Sequence, residues 1–248
     1  MEGALVSLEH VSVYYHTPQG ETEALRDLNF QVRKGEFVAV VGPSGCGKTT
    51  MLSLIMGLNP PSSGRVLFPQ GPCPMGYMLQ RDNLLDWRTL EKNVVLGLEV
   101  KHTLNEATKE KTVGLLQKYG LGDFLSYRPA QLSGGMRQKA ALIRTLALDP
   151  ELLLLDEPFS ALDYQTRLTL ADEVFAIIHE EGKTALLVTH DIGEAVSMAD
   201  RVLIFSDRPA TLQREIKLDF SREMSPLQRR ETSAFQEHFA AIWKELKQ

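Results

Sequence analysis

One stretch, Gly42, Pro43, Ser44, Gly45, Cys46, Gly47, Lys48, Thr49 and Thr50, limits what this chain can fold into. It stands between the apolar run of residues 37–41 and the segment 51–56, an order that reads as buried strand, glycine-rich loop and helix. Gly42, Gly47, Lys48 and Thr49 fit the spacing G-x-x-x-x-G-K-[ST] of a phosphate-binding P-loop, with Gly45 a further glycine inside it. The glycines let backbone N–H groups turn inward around phosphate oxygens, where a Cβ would obstruct. The following helix aims its positive end at the same anion. Lys48 supplies a point charge for β- and γ-phosphates, and the Thr49 hydroxyl is the natural Mg²⁺ ligand. The stretch reads as a nucleotide site.

A length of 248 residues allows one large α/β domain with an ample core. The formal charge of −5 gives no global basic field, which argues against nucleic acid or an anionic membrane as partner. Cys46 and Cys73 match no metal spacing and point to a reducing compartment. No run of about 18 apolar residues offers a membrane span, and the N-terminus lacks a signal sequence, so a cytosolic protein is expected.

Along the chain, residues 5–15 and 28–32 alternate as strands, with a turn expected at residues 17–22, and they predict an antiparallel layer ahead of the P-loop. Short strands are expected at residues 65–68 and 76–80. The pattern turns helical over residues 90–148, with Leu90, Val94 and Leu98 on one face and Val113, Leu116 and Tyr119 on another. This predicts an all-helical insert spanning about 85–148. Continuous apolar runs at 151–155 and 184–189, separated by a helical pattern, are the mark of buried parallel strands. A helix over about 225–247 carries Phe235, Phe239, Ile242, Trp243 and Leu246 on one side. No internal repeat appears, so residues 1–248 read as a single domain holding one nucleotide cassette.

Asp156 ends the first of those buried strands, on the edge where open α/β sheets bind ligands, and can hold Mg²⁺ directly or through water. Glu157 follows it and can orient or deprotonate an attacking water. His190 ends the next buried strand on the same edge. Leu132, Ser133, Gly134 and Gly135 open a helix far from the P-loop in sequence. A neutral Ser-Gly-Gly is too weak to hold phosphate alone but can complete a site across an interface.

In this order the motifs resemble the ATP-binding cassette (ABC) ATPases over nearly the whole chain. The resemblance makes Gln80 the Q-loop, residues 132–138 the signature, 152–157 the Walker B strand, Ser160 to Asp163 the D-loop and His190 the switch histidine. It implies a P-loop NTPase (RecA-like) core with a mostly parallel sheet, an N-terminal antiparallel β subdomain and the helical insert. It further implies ATP and Mg²⁺ as cofactors, with Thr49, Asp156 and Gln80 around the metal and Lys48, Gln80, Glu157 and His190 in catalysis. Tyr15 is the candidate to stack on adenine, with its neighbour Tyr14 in competition. Two cassettes would pair head to tail when ATP-bound, the Ser133, Gly134 and Gly135 of one facing the P-loop of the other.

Met136 departs from the Gln or Glu that is commonest at the fifth signature position. The Leu-Ser-Gly-Gly-Met form, with residues 77–89, resembles the branch that imports nitrate, sulfonates and taurine, although related sequences serve pyrimidine vitamin precursors. That branch implies separate permease subunits at the cytoplasmic membrane face, and an extracytoplasmic solute-binding protein. Leu84, Leu85 and Trp87, in a groove beside Gln80, are candidate permease contacts or insert core. A soluble ABC ATPase and the energising subunit of an exporter are the alternative readings.

Overall fold

The strands that surround the P-loop are apolar on both faces, and this dictates where they lie. In the computed structural model, which describes residues 3–18, 20–221 and 223–247, β1 (Ala4–Thr17) and β2 (Gly20–Arg33) form a long antiparallel hairpin. β3 (Phe37–Val41) then runs into the P-loop and α1 (Lys48–Ile55). β4 (Ser63–Leu67) returns to pair with β1, giving a three-stranded antiparallel sheet in the order β2-β1-β4. β5 (Met75–Met78) leads into the helical insert of α2 (Leu90–Val94), α3 (Leu96–Val100), α4 (Glu106–Lys118) and α5 (Gly134–Leu146).

The chain then alternates: β6 (Leu152–Asp156), α6 (Tyr164–Glu180), β7 (Thr184–Val188), α7 (Ile192–Met198), β8 (Arg201–Phe205) and β9 (Leu212–Lys217). The short α8 (Pro226–Arg230) and α9 (Ser233–Leu246) finish it. β5, β6, β7, β3 and β8 are parallel neighbours in that order, and β9 closes the six-stranded sheet antiparallel to β8. β3, β6, β7 and β8 are buried at every position, which is why their sequences are almost wholly apolar, with polar residues only where Asp156 ends β6 and where Thr184 and Arg201 open β7 and β8. Alternate residues serve opposite faces. Val38, Val40, Leu152 and Leu154 pack with α1 and the antiparallel sheet, while Ala39, Val41, Leu153 and Leu155 pack with α5, α6 and α7. Each buried Val or Leu among them is worth about 1.5–3 kcal/mol relative to exposure.

Several boundaries differ from the sequence expectation. The hairpin strands continue through most of the expected turn, of which residue 19 lies outside the described residues. Tyr14, Tyr15, His16 and Glu21 are exposed there, so the hairpin tip lacks the apolar alternation that marks a half-buried strand, and backbone pairing alone carries it. In α4 the buried face is Thr112, Leu115 and Leu116, with Val113 and Tyr119 only half-buried. The Thr112 hydroxyl donates to the Thr108 carbonyl at 2.8 Å, so this polar residue is satisfied inside.

The C-terminal helix is two helices, because Ser225 caps α8 and Thr232 caps α9 by accepting from the Phe235 amide at 3.1 Å. Of its five apolar residues only Ile242 is fully buried; Phe235 and Leu246 lie partly against the core, and Phe239 and Trp243 are exposed.

The β8–β9 connection is tightly tied. Ser206 N donates to the Thr211 carbonyl at 3.1 Å and Ser206 Oγ accepts from Thr211 N at 2.9 Å. Ala210 N donates to the Ala24 carbonyl at 3.0 Å while its own carbonyl accepts from Arg26 N at 2.9 Å, joining this loop to β2.

Candidate functional site

The C-terminal ends of β3, β6, β7 and β8 meet at one sheet edge, and the polar residues that end them converge there. The P-loop wraps the start of α1 with Gly45 at φ 77° and Gly47 at φ 128°, conformations that side chains rarely adopt. A Cβ on Gly47 would come within 2.7 Å of Leu25 Cδ2 and 3.0 Å of the Ala24 carbonyl, so the cradle has no room for a larger residue. Lys48 is buried and its Nζ donates to the carbonyls of Gly42 at 2.7 Å and Pro43 at 2.9 Å. Cys46 turns its thiol into the core, where burial pushes its pKa up. It is a packing residue rather than a reactive one.

Thr49 Oγ1 donates to Asp156 Oδ1 at 3.3 Å, and Tyr77 Oη donates to Asp156 Oδ2 at 3.0 Å. Burial raises the Asp156 pKa, opposed by those two hydroxyls and by Lys48. Burial and the neighbouring Asp156 charge push the Tyr77 phenol up in turn. Glu157 sits in the left-handed region at φ 46°, its N–H bonded to the Val188 carbonyl at 2.8 Å. That turn swings its carboxylate away from Asp156, toward Gln80 and His190. Oε2 accepts from Gln80 Nε2 at 3.4 Å and from His190 Nδ1 at 3.0 Å, and Gln80 Nε2 also donates to Ser160 Oγ at 3.2 Å. Lys48, Thr49, Thr50 and Glu157 line a cleft of about 200 Å³.

Behind His190, the Thr189 hydroxyl donates to Glu194 Oε2 at 2.6 Å and accepts from Asp191 N at 3.0 Å. Arg167 bonds Asp191 Oδ2 at 3.3 Å and the Leu162 carbonyl at 3.1 Å, tying the segment after β6 to the one after β7. Burial raises the Glu194 pKa to about 7.

Hard oxygen donors from Thr49 and Asp156 beside a phosphate cradle fit a Mg²⁺ ion whose other ligands are phosphate oxygens and water. Among the described residues no group of three or more His, Cys, Asp or Glu could hold a metal by itself. A cation here would therefore rely on the nucleotide for ligands.

Of the two tyrosines, Tyr15 donates to Thr50 Oγ1 at 3.2 Å, against the P-loop helix. Tyr14 donates instead to Glu23 Oε1 at 2.9 Å. Ser133 does not join the cleft. It caps α5, accepting from Met136 N at 3.3 Å, and lines a separate surface hollow with Gly135, Gln165 and Thr166. Gly134 would bring a Cβ within 3.0 Å of Leu162 Cδ2. α5 grips the segment after β5: Gln138 donates to the Gln80 carbonyl at 3.4 Å, and Arg144 to the carbonyls of Asp82 at 2.6 Å and Asn83 at 2.8 Å. In the groove beside it, Leu84 is buried as core, Leu85 is half-buried and Trp87 is 72% exposed.

Sequence reasoning missed two residues. Tyr77 opens the stretch 77–89 but belongs to no nucleotide motif, and only the β5–β6 register opposite Leu154 brings it to Asp156. Arg208 follows β8 and donates to the Gly45 carbonyl at 2.5 Å. The strand-edge argument that singled out Asp156 and His190 applies equally to the end of β8 and could have found it.

The ABC transporter family model matches residues 25–160. The ABC transporter ATP-binding protein YtlC of Bacillus subtilis (strain 168) is 48% identical over 250 residues, covering 98% of this chain and 96% of that protein. The taurine import ATP-binding protein TauB of Pelagibacter ubique is 39% identical over 219 residues, covering 86% of this chain and 83% of the relative. Among solved structures, a dimeric post-hydrolysis state of an ATP-binding cassette bound to ADP and Pi superposes with a TM-score of 0.73 at 32% identity, covering 87% of this chain and 100% of that one. The matched region runs through the P-loop, Gln80, the α5 N-terminus and the carboxylates that end β6, and the chain belongs to the ABC transporter family as an ATP-binding cassette, an ATPase coupled to transport.

Proposed function

We propose that this cassette energises an importer of small anions or related metabolites, of the nitrate, sulfonate and taurine kind, with Glu157 as the base that activates water on ATP. The observation that carries the chemistry is the Glu157 carboxylate held between His190 Nδ1 and Gln80 Nε2, beside the P-loop cleft. A base fixed by two donors faces one direction, and its remaining lone pairs can take a water proton. Lys48 exchanges its carbonyl partners for β- and γ-phosphate oxygens, and the P-loop amides hold the rest. Thr49, Asp156 and Gln80 would hold Mg²⁺, which when bound would neutralise charge developing on the phosphates. Tyr15 stacks on the adenine.

Ser133, Gly134 and Gly135 serve the nucleotide of a second copy, since they are capped on α5 away from the cleft of their own chain. Two ATP molecules would then sit between two head-to-tail cassettes. No helix among the described residues is long and apolar enough to cross a membrane, so coupling would pass through separate permease subunits at the cytoplasmic face. The exposed Trp87 and the groove lined by Asp82, Pro129 and Arg137 are the proposed docking surface, with a solute-binding protein outside. The taurine import relative supports the anion class.

The test is reconstitution with the permease and binding protein. ATP-dependent uptake of taurine, an alkanesulfonate or nitrate, lost in Glu157→Gln, is expected. ATP-driven efflux with no uptake would refute the import reading.

A further inference from the structure

One cation reaches the P-loop from an unexpected direction. Nη2 of Arg208 donates to the Gly45 carbonyl at 2.5 Å, and Arg208 lines the cleft with Lys48 and Thr50. The loop bearing it is stapled at both ends. Ser206 bonds Thr211 across its base, and Ala210, fully buried, exchanges hydrogen bonds with Ala24 and Arg26 of β2. The same stretch of β2 supplies the Leu25 and Ala24 atoms that crowd Gly47. The position of Arg208 is therefore set by the framework that shapes the P-loop.

Its bonding is far from saturated. A guanidinium carries five N–H donors. Among the described residues, the Gly45 carbonyl is the one hydrogen-bond partner of this side chain, and no carboxylate pairs with it. Arg208 is exposed at the cleft, whereas Lys48 is buried beneath the loop. The two cations thus approach the same phosphate cradle from inside and from outside. Lysine acts as a point charge, while a guanidinium grips two phosphate oxygens at once.

We propose that Arg208 is a second phosphate-binding cation of the nucleotide site, gripping the pyrophosphate of bound ATP or ADP from the outer rim of the P-loop. The inference rests on the nucleotide reading of the cleft. Because it concerns the nucleotide of the same chain, it acts before any pairing of cassettes. It raises affinity for ADP as well as ATP, and leaves adenosine binding alone.

The test is equilibrium binding of ATP, ADP and adenosine to the full chain, by competition with a fluorescent ATP analogue, at a protein concentration where it is monomeric. Arg208→Ala is expected to weaken ATP and ADP about fivefold to tenfold, as for loss of an exposed charge-assisted contact, with adenosine unchanged. Arg208→Lys should recover part of the loss, and added salt should narrow the gap between Arg208→Ala and the parent. KM for ATP should rise more than kcat falls. Wild-type affinities in Arg208→Ala would overturn the proposal. So would a loss that Arg208→Lys does not relieve, since that marks a structural role for the loop. Affinities that fall only when cassettes pair would assign the cation to the other copy and equally overturn it. Lys48→Ala is the control: if it too binds ATP normally, the nucleotide reading of the cleft fails, and if it alone loses ATP, only the Arg208 assignment does.

Discussion

His190 Nδ1 lies 3.0 Å from Glu157 Oε2, although 33 residues separate them in the chain. The pair joins the ends of the neighbouring strands β6 and β7, whose register sets Asp156 opposite Val188. Glu157→Gln should keep ATP affinity and lower turnover by about 10²–10⁴-fold, the usual worth of a general base. His190→Ala should lower kcat with little change in ATP affinity, because it touches the base and no P-loop residue. Steady-state rates beside equilibrium binding check both. Hydrolysis at the parent rate in Glu157→Gln would remove it from the mechanism.

Lys48 differs in kind, since its charge acts on ground-state phosphates. Lys48→Ala should weaken ATP binding itself, by tenfold or so for a lost charge-assisted contact. Fluorescent nucleotide titration measures it, and an unchanged Kd would count against Lys48 as a phosphate ligand.

Composite sites make a further demand. A neutral serine and a helix end gain most from a γ-phosphate when a partner surface excludes water. ATP should therefore trap a dimer of Glu157→Gln, visible by light scattering, and adding Ser133→Arg should abolish it while monomer ATP affinity stays. Normal pairing in the double variant would rule out the shared site.

Glu194 predicts a pH dependence of stability. Burial raises its pKa to about 7, partly offset by the Thr189 hydroxyl and Arg167 and reinforced by Asp191. Between about pH 4.5 and 7 the folded protein then binds more protons at this group than the unfolded chain, so its contribution to stability falls as pH rises and levels off above 7. Glu194→Gln keeps an acceptor for Thr189 without the charge. Its Tm should exceed the parent's at pH 8, and the difference should shrink toward pH 5. A Tm difference independent of pH would show that Glu194 does not titrate in this window.

What the sequence alone determined is local. The P-loop, the Asp156–Glu157 pair and His190 are legible because each stands at the end of a buried strand, and a continuous apolar run announces such a strand without reference to the rest of the fold. The Ser133 helix start is legible for a different local reason, since its capping bond reaches only to Met136. Tertiary structure decided whatever depends on register or on distant segments. Tyr14 and Tyr15 are equivalent by pattern, and only the packing of the hairpin against α1 decides that Tyr15 meets Thr50 while Tyr14 meets Glu23. Tyr77 reaches Asp156 through strand alignment, and Arg208 reaches Gly45 across 163 residues of chain. Such contacts have no period in the sequence, because packing between elements, and not spacing within one, brings their atoms together.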